Sequence, residues 1–245
     1  MIREICVDSV DGVRAARAAG ADRVELCAAL LEGGITPSLG MIRGARAVGI
    51  KLMVMIRPRG GDFLFDDDEF AAMEADIDTT KKEGADGVVI GLLKPDGTVD
   101  AERSARLIAQ ARPLSVTFHR AFDLTPDALA ALDTLIALGV DRVLTSGQED
   151  SVLAGLPLLA KLQERAGDRI VTMPGGGITE RTIGRIVSAL KPKELHFAAL
   201  SLTPGGMQFR REHVFMGGEL RPPEYDRRVT TAAAIKAIVA GESAK

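Results

Sequence analysis

GADRVELC (residues 20–27) recurs along the chain as GADGVVIG (84–91) and as GVDRVLTSG (139–147). Each copy has a glycine, an aspartate two residues later, and then a short apolar, β-branched run. Glycine is favoured just past a helix C-terminus, where the chain turns left-handed and a Cβ would clash. A short, nearly continuous apolar run suits a parallel strand whose outer face is covered. Each copy therefore reads as the end of a helix followed by the start of a strand.

Extending that rhythm predicts eight strands, at 2–7, 23–27, 51–57, 87–92, 114–119, 142–146, 169–174 and 194–199. Between them lie helical patterns at 11–19, 38–48, 68–83, 100–111, 126–138, 151–166 and 179–190, with a last helix at 229–240. Helix starts are marked by Ser38 after Pro37, by Pro126 after Thr125, and by Thr179 with Glu180 in the first turn. Eight alternating units of this length fit one (β/α)8 TIM barrel over residues 1–245 better than an open, doubly wound sheet. Residues 200–228 are read as a long loop between the last strand and the last helix, over the catalytic face.

Composition narrows the function classes. The chain of 245 residues is 46% hydrophobic with a formal net charge of −3, so no basic field favours nucleic acid or an anionic membrane. Aromatic residues make up only 4% and tryptophan is absent, which weakens a base-stacking role. No apolar run approaches the roughly 18 residues of a membrane span. The start, MIREICVDSV, lacks the pattern of a secretion signal. Two cysteines do not make a disulfide framework. The expectation is a soluble, cytoplasmic α/β protein.

In a (β/α)8 barrel, chemistry gathers at the C-terminal ends of the strands. Side chains alternate along a strand, so Glu4, Cys6 and Asp8 share one face, as do Glu25 and Cys27, while Ile5, Val7, Val24 and Leu26 face the helices. The same parity turns Thr117, His119 and His196 inward. Glu25 and His119 are candidate acid/base groups, with Arg57 of IRPRGGDF (56–63) as electrostatic partner or substrate anchor. A structural ion-pair layer is the other reading of this cluster. Arg120, of opposite parity in VTFHRAFD (116–123), is expected to pair locally with Asp123.

Three further features are candidates for binding. MPGGGIT (173–179) places Gly175, Gly176 and Gly177 before a predicted helix start, where phosphate binds in many barrels; a tight turn explains the same residues. Arg59, and Ser201 beside TPGG (203–206), complete the candidate anion-binding set. Cys6 and Cys27 share inward parity on adjacent strands roughly 5 Å apart, close enough for two soft thiolates to grip one Cu(I) ion. Two buried cysteines acting as small hydrophobes is the alternative. The scattered methionines, Met53 and Met55 among them, read as core packing.

EICVDS, GADRVELCAALLEGGITPSLG, IRPRGGDF, VTFHRAFD, RVLTSG and MPGGGIT, in this order and spacing, resemble the CutC family of copper homeostasis proteins over nearly the whole chain. The resemblance implies a single (β/α)8 barrel, a cytoplasmic location, a homodimer or homotetramer, and Cys6 and Cys27 as Cu(I) ligands. Two readings follow. One is a copper homeostasis protein binding Cu(I) through the two cysteines. The other is an enzyme acting by acid/base chemistry on a small anionic metabolite, phosphorylated or not, at the barrel mouth.

Overall fold

A computed structural model describes residues 1–214 and 226–243. Eight parallel strands, β1 (Ile2–Val7), β2 (Arg23–Leu26), β3 (Lys51–Met55), β4 (Gly87–Ile90), β5 (Ser115–Phe118), β6 (Arg142–Thr145), β7 (Val171–Pro174) and β8 (Glu194–Ala198), lie in the order β7-β6-β5-β4-β3-β2-β1-β8. The ring closes through a parallel bridge between Gly175, just past β7, and His196 of β8. Outside lie α1 (Val10–Ala18), α2 (Leu39–Ala47), α3 (Asp67–Lys82), α4 (Ala101–Ala111), α5 (Ala128–Ala137), α6 (Leu156–Ala166) and α7 (Ile183–Leu190). The fold is the TIM-barrel type expected from the repeat.

The repeat has a physical cause beyond its glycine. Gly20, Gly84 and Gly139 all take positive φ (80°, 75° and 70°), ending a helix as expected. Each aspartate then does two jobs for the strand before it. The Asp22 side chain accepts the backbone N–H of Arg3 at 2.8 Å, Asp86 that of Leu52 at 2.9 Å, and Asp141 that of Val116 at 2.7 Å. The same three aspartates donate their own N–H back to the carbonyls of Arg3, Leu52 and Val116. This reciprocal pair sets the register of β2 on β1, β4 on β3 and β6 on β5.

The strands' outward residues, including Ile5, Val7, Val24, Leu26, Val88, Ile90 and Phe118, form one apolar layer with the helices. The barrel interior is different and mostly polar near its floor. There Arg23 pairs with Glu4 and Glu194, and Arg142 reaches Glu194 at 3.1 Å and Thr117 at 3.2 Å. All of these groups are buried. The ion-pair layer weighed from sequence is thus present, but at the floor and including Glu4.

Several boundaries differ from expectation. The stretch 200–228 is not wholly a loop: β9 (Leu200–Pro204) pairs antiparallel with β10 (Asp226–Thr230), and its middle, 215–225, lies outside the described residues. Because β10 runs to Thr230, the last helix α8 (Ala232–Ala240) starts three residues late, capped by Thr231. Helix α5 is capped by Asp127 rather than opening at Pro126, since the Asp127 carboxylate accepts from the N–H groups of Leu129 and Ala130. Helices α6 and α7 begin at Leu156 and Ile183, because 151–155 and 179–182 are spent in turns. Ser38 caps α2 as expected.

Candidate functional site

Above the ionic floor, at the C-terminal end of the barrel, the interior turns to sulfur and imidazole. Backbone register places Cys6 beside Glu25, Glu4 beside Arg23 and, across the closing seam, Glu4 beside His196. The Sγ atoms of Cys6 and Cys27 lie 3.9 Å apart, and Cys27 Sγ is 3.6 Å from Glu25 Oε2. His196 Nδ1 is 2.8 Å from Glu4 Oε1, while its Nε2 lies 3.7 Å from Glu25 Oε2. One donor atom each from Cys6, Glu25 and His196 fall within 4.8 Å of one another. Around the thiols, Met53, Met55, Val89 and Leu30 form a small apolar cluster inside the barrel.

Gly34 makes room here. It takes φ +91°, and a Cβ on it would lie 3.0 Å from Cys27 Sγ.

The charges in this cluster follow from contact. The hydrogen bond from Cys27 stabilises the Cys6 thiolate, and against the cost of burial the adjoining His196 helps lower its pKa to about 5. The same bond and burial push the Cys27 thiol well above its ordinary value, so the pair shares one proton. Burial alone would discharge His196, but Glu25, Cys6 and Glu4 around it raise its pKa well above 6.5. Burial also acts against ionised Glu4, yet His196 and Arg23 hold it at about 2. Glu25, desolvated and next to Cys6, is driven well above the carboxylate range.

His119 faces the barrel mouth as its parity predicts, but its ring nitrogens make other contacts than to Glu25. Its Nδ1 accepts the backbone N–H of Ala121 at 3.1 Å, capping the 3-10 turn Arg120–Leu124. Its Nε2 is buried without a partner, and no hydrogen bond joins it to Glu25. Burial, reinforced by Arg57, lowers its pKa to about 3. The imidazole lies on Gly91, where an added Cβ would come 2.2 Å from Cε1, and faces Phe63 with 4.9 Å between ring centroids.

Cys6, Glu25, Arg57, Phe63, His119 and His196 line one cavity of about 120 Å3, along with Gly33, Met55, Arg120 and Leu144. Of the candidate acid/base groups, the structure therefore gathers Glu25, Arg57 and His119 around one space. The guanidinium of Arg57 spends its terminal nitrogens on the carbonyls of Glu32, Gly34 and Gly61 and stacks on Phe63 at 4.8 Å. Arg120 does pair with Asp123, at 2.7 Å, but also bonds Ser146 Oγ at 2.8 Å and reaches the cavity wall.

The candidate anion-binding residues are not brought to this cavity. Arg59 turns to Glu69 and Asp62 and to the carbonyl of Leu64, tying the β3–α3 loop to the start of α3. Gly175 donates to Thr145, and Gly176 accepts from Val152 and packs on the Arg120 guanidinium. Gly176 and Gly177 both take positive φ, so the run forms a tight turn. Ser201, on β9, meets Thr231 Oγ1 at 3.2 Å. A larger open groove of about 460 Å3 lies beside Thr179–Arg181 and α8, but alanine and isoleucine supply most of its walls. The convergent polar groups are in the smaller cavity.

Sequence reasoning placed His196 inward without giving it a role, and it missed Gly91, Gly34 and Phe63. Glycines after strand ends were a usable signal for two of these: Gly91 follows β4, and Gly34 lies in the loop after β2.

Comparison with known proteins supports the fold. The CutC family model matches residues 1–201. The human copper homeostasis protein cutC homolog is 50% identical over 238 residues, 97% of this chain and 87% of that protein. A CutC-family protein of Mesorhizobium japonicum is 48% identical over 242 residues, 98% of this chain and 94% of that protein. A crystal structure of CutC from Streptococcus agalactiae, 35% identical, superposes with a TM-score of 0.76 over 80% of this chain and 98% of that one. Among the described residues no helix is long and apolar enough to cross a membrane.

Proposed function

This chain belongs to the CutC family, and on that premise we propose that it serves copper homeostasis by holding Cu(I) between Cys6 and Cys27, with His196 as third donor. The observation that carries the reading is the approach of two buried thiols to 3.9 Å, with a donor atom of His196 within 4.8 Å of the Cys6 sulfur. Two metal–thiolate bonds of about 2.3 Å to sulfurs 3.9 Å apart enclose an angle of roughly 115°. That angle suits three donors in a plane rather than two in a line, which gives His196 Nε2 its part.

The donor set is soft, as Cu(I) prefers over Mg2+ or Ca2+, and Met53 and Met55 keep the surroundings soft and dry. His196 is held by Glu4 through Nδ1, the carboxylate–histidine arrangement that orients an imidazole toward a metal. A Cys6 thiol already near pKa 5 needs little further cost to become a ligand. Free thiols kept for this purpose suit a reducing compartment such as the cytoplasm.

Anaerobic titration of reduced protein against a chromophoric Cu(I) chelator tests the reading. About one ion per chain should be withdrawn from the chelator by the native protein, and none by Cys27→Ser. Equal uptake by the two proteins refutes it.

A further inference from the structure

We propose that the cavity of about 120 Å3 at the barrel mouth binds a small monocarboxylate, held by the Nε2–H of His119 and the Nε–H of Arg57. This goes beyond copper: neither residue is among the sulfur and imidazole donors assigned to the metal.

The tautomer of His119 follows from a backbone contact. The amide of Ala121 can only donate, so the Nδ1 that it meets at 3.1 Å carries the lone pair. The neutral ring therefore keeps its proton on Nε2. That N–H is buried with no hydrogen-bond partner. It is also fixed in direction, because Gly91 supports the ring and Phe63 lies 4.9 Å from it. Native proteins seldom leave a buried donor unmet.

Arg57 has the same deficit with a charge attached. Its side chain is buried, its terminal nitrogens go to three neutral carbonyls, and Nε has no partner. Among the described residues it forms no ion pair with a carboxylate. Glu32 acts on Arg57 only at longer range. A buried guanidinium with no carboxylate in contact, beside an unmet imidazole N–H, suits an anion that accepts from both. A carboxylate has two oxygens for two donors. Arg120, which also lines the space, is already paired with Asp123. The cavity has the room of about four waters at roughly 30 Å3 each, which limits the acid to about four to six heavy atoms. Acetate and glycolate are of that size.

The test uses the native, metal-free, full-length chain labelled with 15N-histidine, whose only histidines are His119, His196 and His213. Acetate or glycolate, at constant ionic strength, should shift the His119 Nε2–H resonance saturably, and acetamide at the same concentration should not. No saturable shift by about 0.1 M acid, or an equal response to acetamide, overturns the proposal. In a second arm, saturation transfer to the acetate methyl group should be seen with the native chain and lost in His119→Phe, which keeps a ring but removes the donor. Native-level transfer in a folded His119→Phe variant overturns it too; if that variant does not fold, the native histidine shift decides alone. Copper plays no part in either arm, so the failure of this proposal and that of the metal reading are separate.

Discussion

Replacing His119 with phenylalanine should change how stability responds to acid more than it changes stability itself. In the folded chain the imidazole is buried and its pKa lies at about 3, against 6.5 for an ordinary histidine. Such a group is neutral in the fold but takes a proton in the unfolded chain once the pH drops below 6.5, so acid favours unfolding between 6.5 and about 3. From about pH 7.5 to about pH 5.5 the linkage amounts to about 1.4 kcal/mol, and it reaches about 2.7 kcal/mol by about pH 4.5. His196 acts with the opposite sign. Its raised pKa gives stability that is full below 6.5 and lost as the pH climbs through the folded value. That contribution is common to both proteins and cancels in their difference. Urea unfolding of native chain and His119→Phe at the two higher pH values measures the effect. The native protein should lose about 1.4 kcal/mol more than the variant on acidification. Losses equal within about 0.5 kcal/mol would mean that His119 is solvated or charged in the fold, and the tautomer argument would fall with it.

Glu4→Gln removes the carboxylate that Arg23 and His196 share in the barrel floor, leaving buried charge unpaired. It should cost about 3–5 kcal/mol in chemical denaturation, and a loss below about 1 kcal/mol would show that the floor is solvated. Gly91→Ala puts a methyl group 2.2 Å from the His119 ring, which must shift off β4 and give up its contact with Ala121 to make room. A destabilisation of about 1–3 kcal/mol is expected by thermal unfolding, with a neutral effect contradicting the packing of the imidazole on β4. Lys193→Ala breaks only an exposed pair with Asp168 and should shift the melting temperature hardly at all, by less than about 0.5 kcal/mol equivalent.

The barrel was legible because its signals are local. A glycine that must take positive φ and an aspartate that must meet the neighbouring strand sit next to the run they introduce, so three copies sufficed to set the rhythm. The β9–β10 pair was not legible, because its strands are partners across more than twenty intervening residues and, although LSLTP alternates, DRRVT does not. Parity placed Cys6, Glu25, His119 and His196 inward, which the register agrees with. It could not say which histidine meets which carboxylate. That depends on the seam where the last strand closes on the first and brings His196 to Glu4, a contact between residues 192 apart in sequence. Arg57 and Arg59 look alike in IRPRGGDF, but one ends in the barrel and the other at the capping box of α3. Only the path of the loop around Pro58 separates them.

On the proposed reading, Cys6, Cys27 and His196 present one Cu(I) site inside the barrel. X-ray absorption at the copper edge, on native protein loaded anaerobically with about one equivalent of Cu(I), tests it most directly. Two sulfurs at about 2.3 Å and one nitrogen should surround the copper, with the nitrogen lost and both sulfurs kept in His196→Ala. A shell of nitrogen and oxygen without sulfur would contradict it.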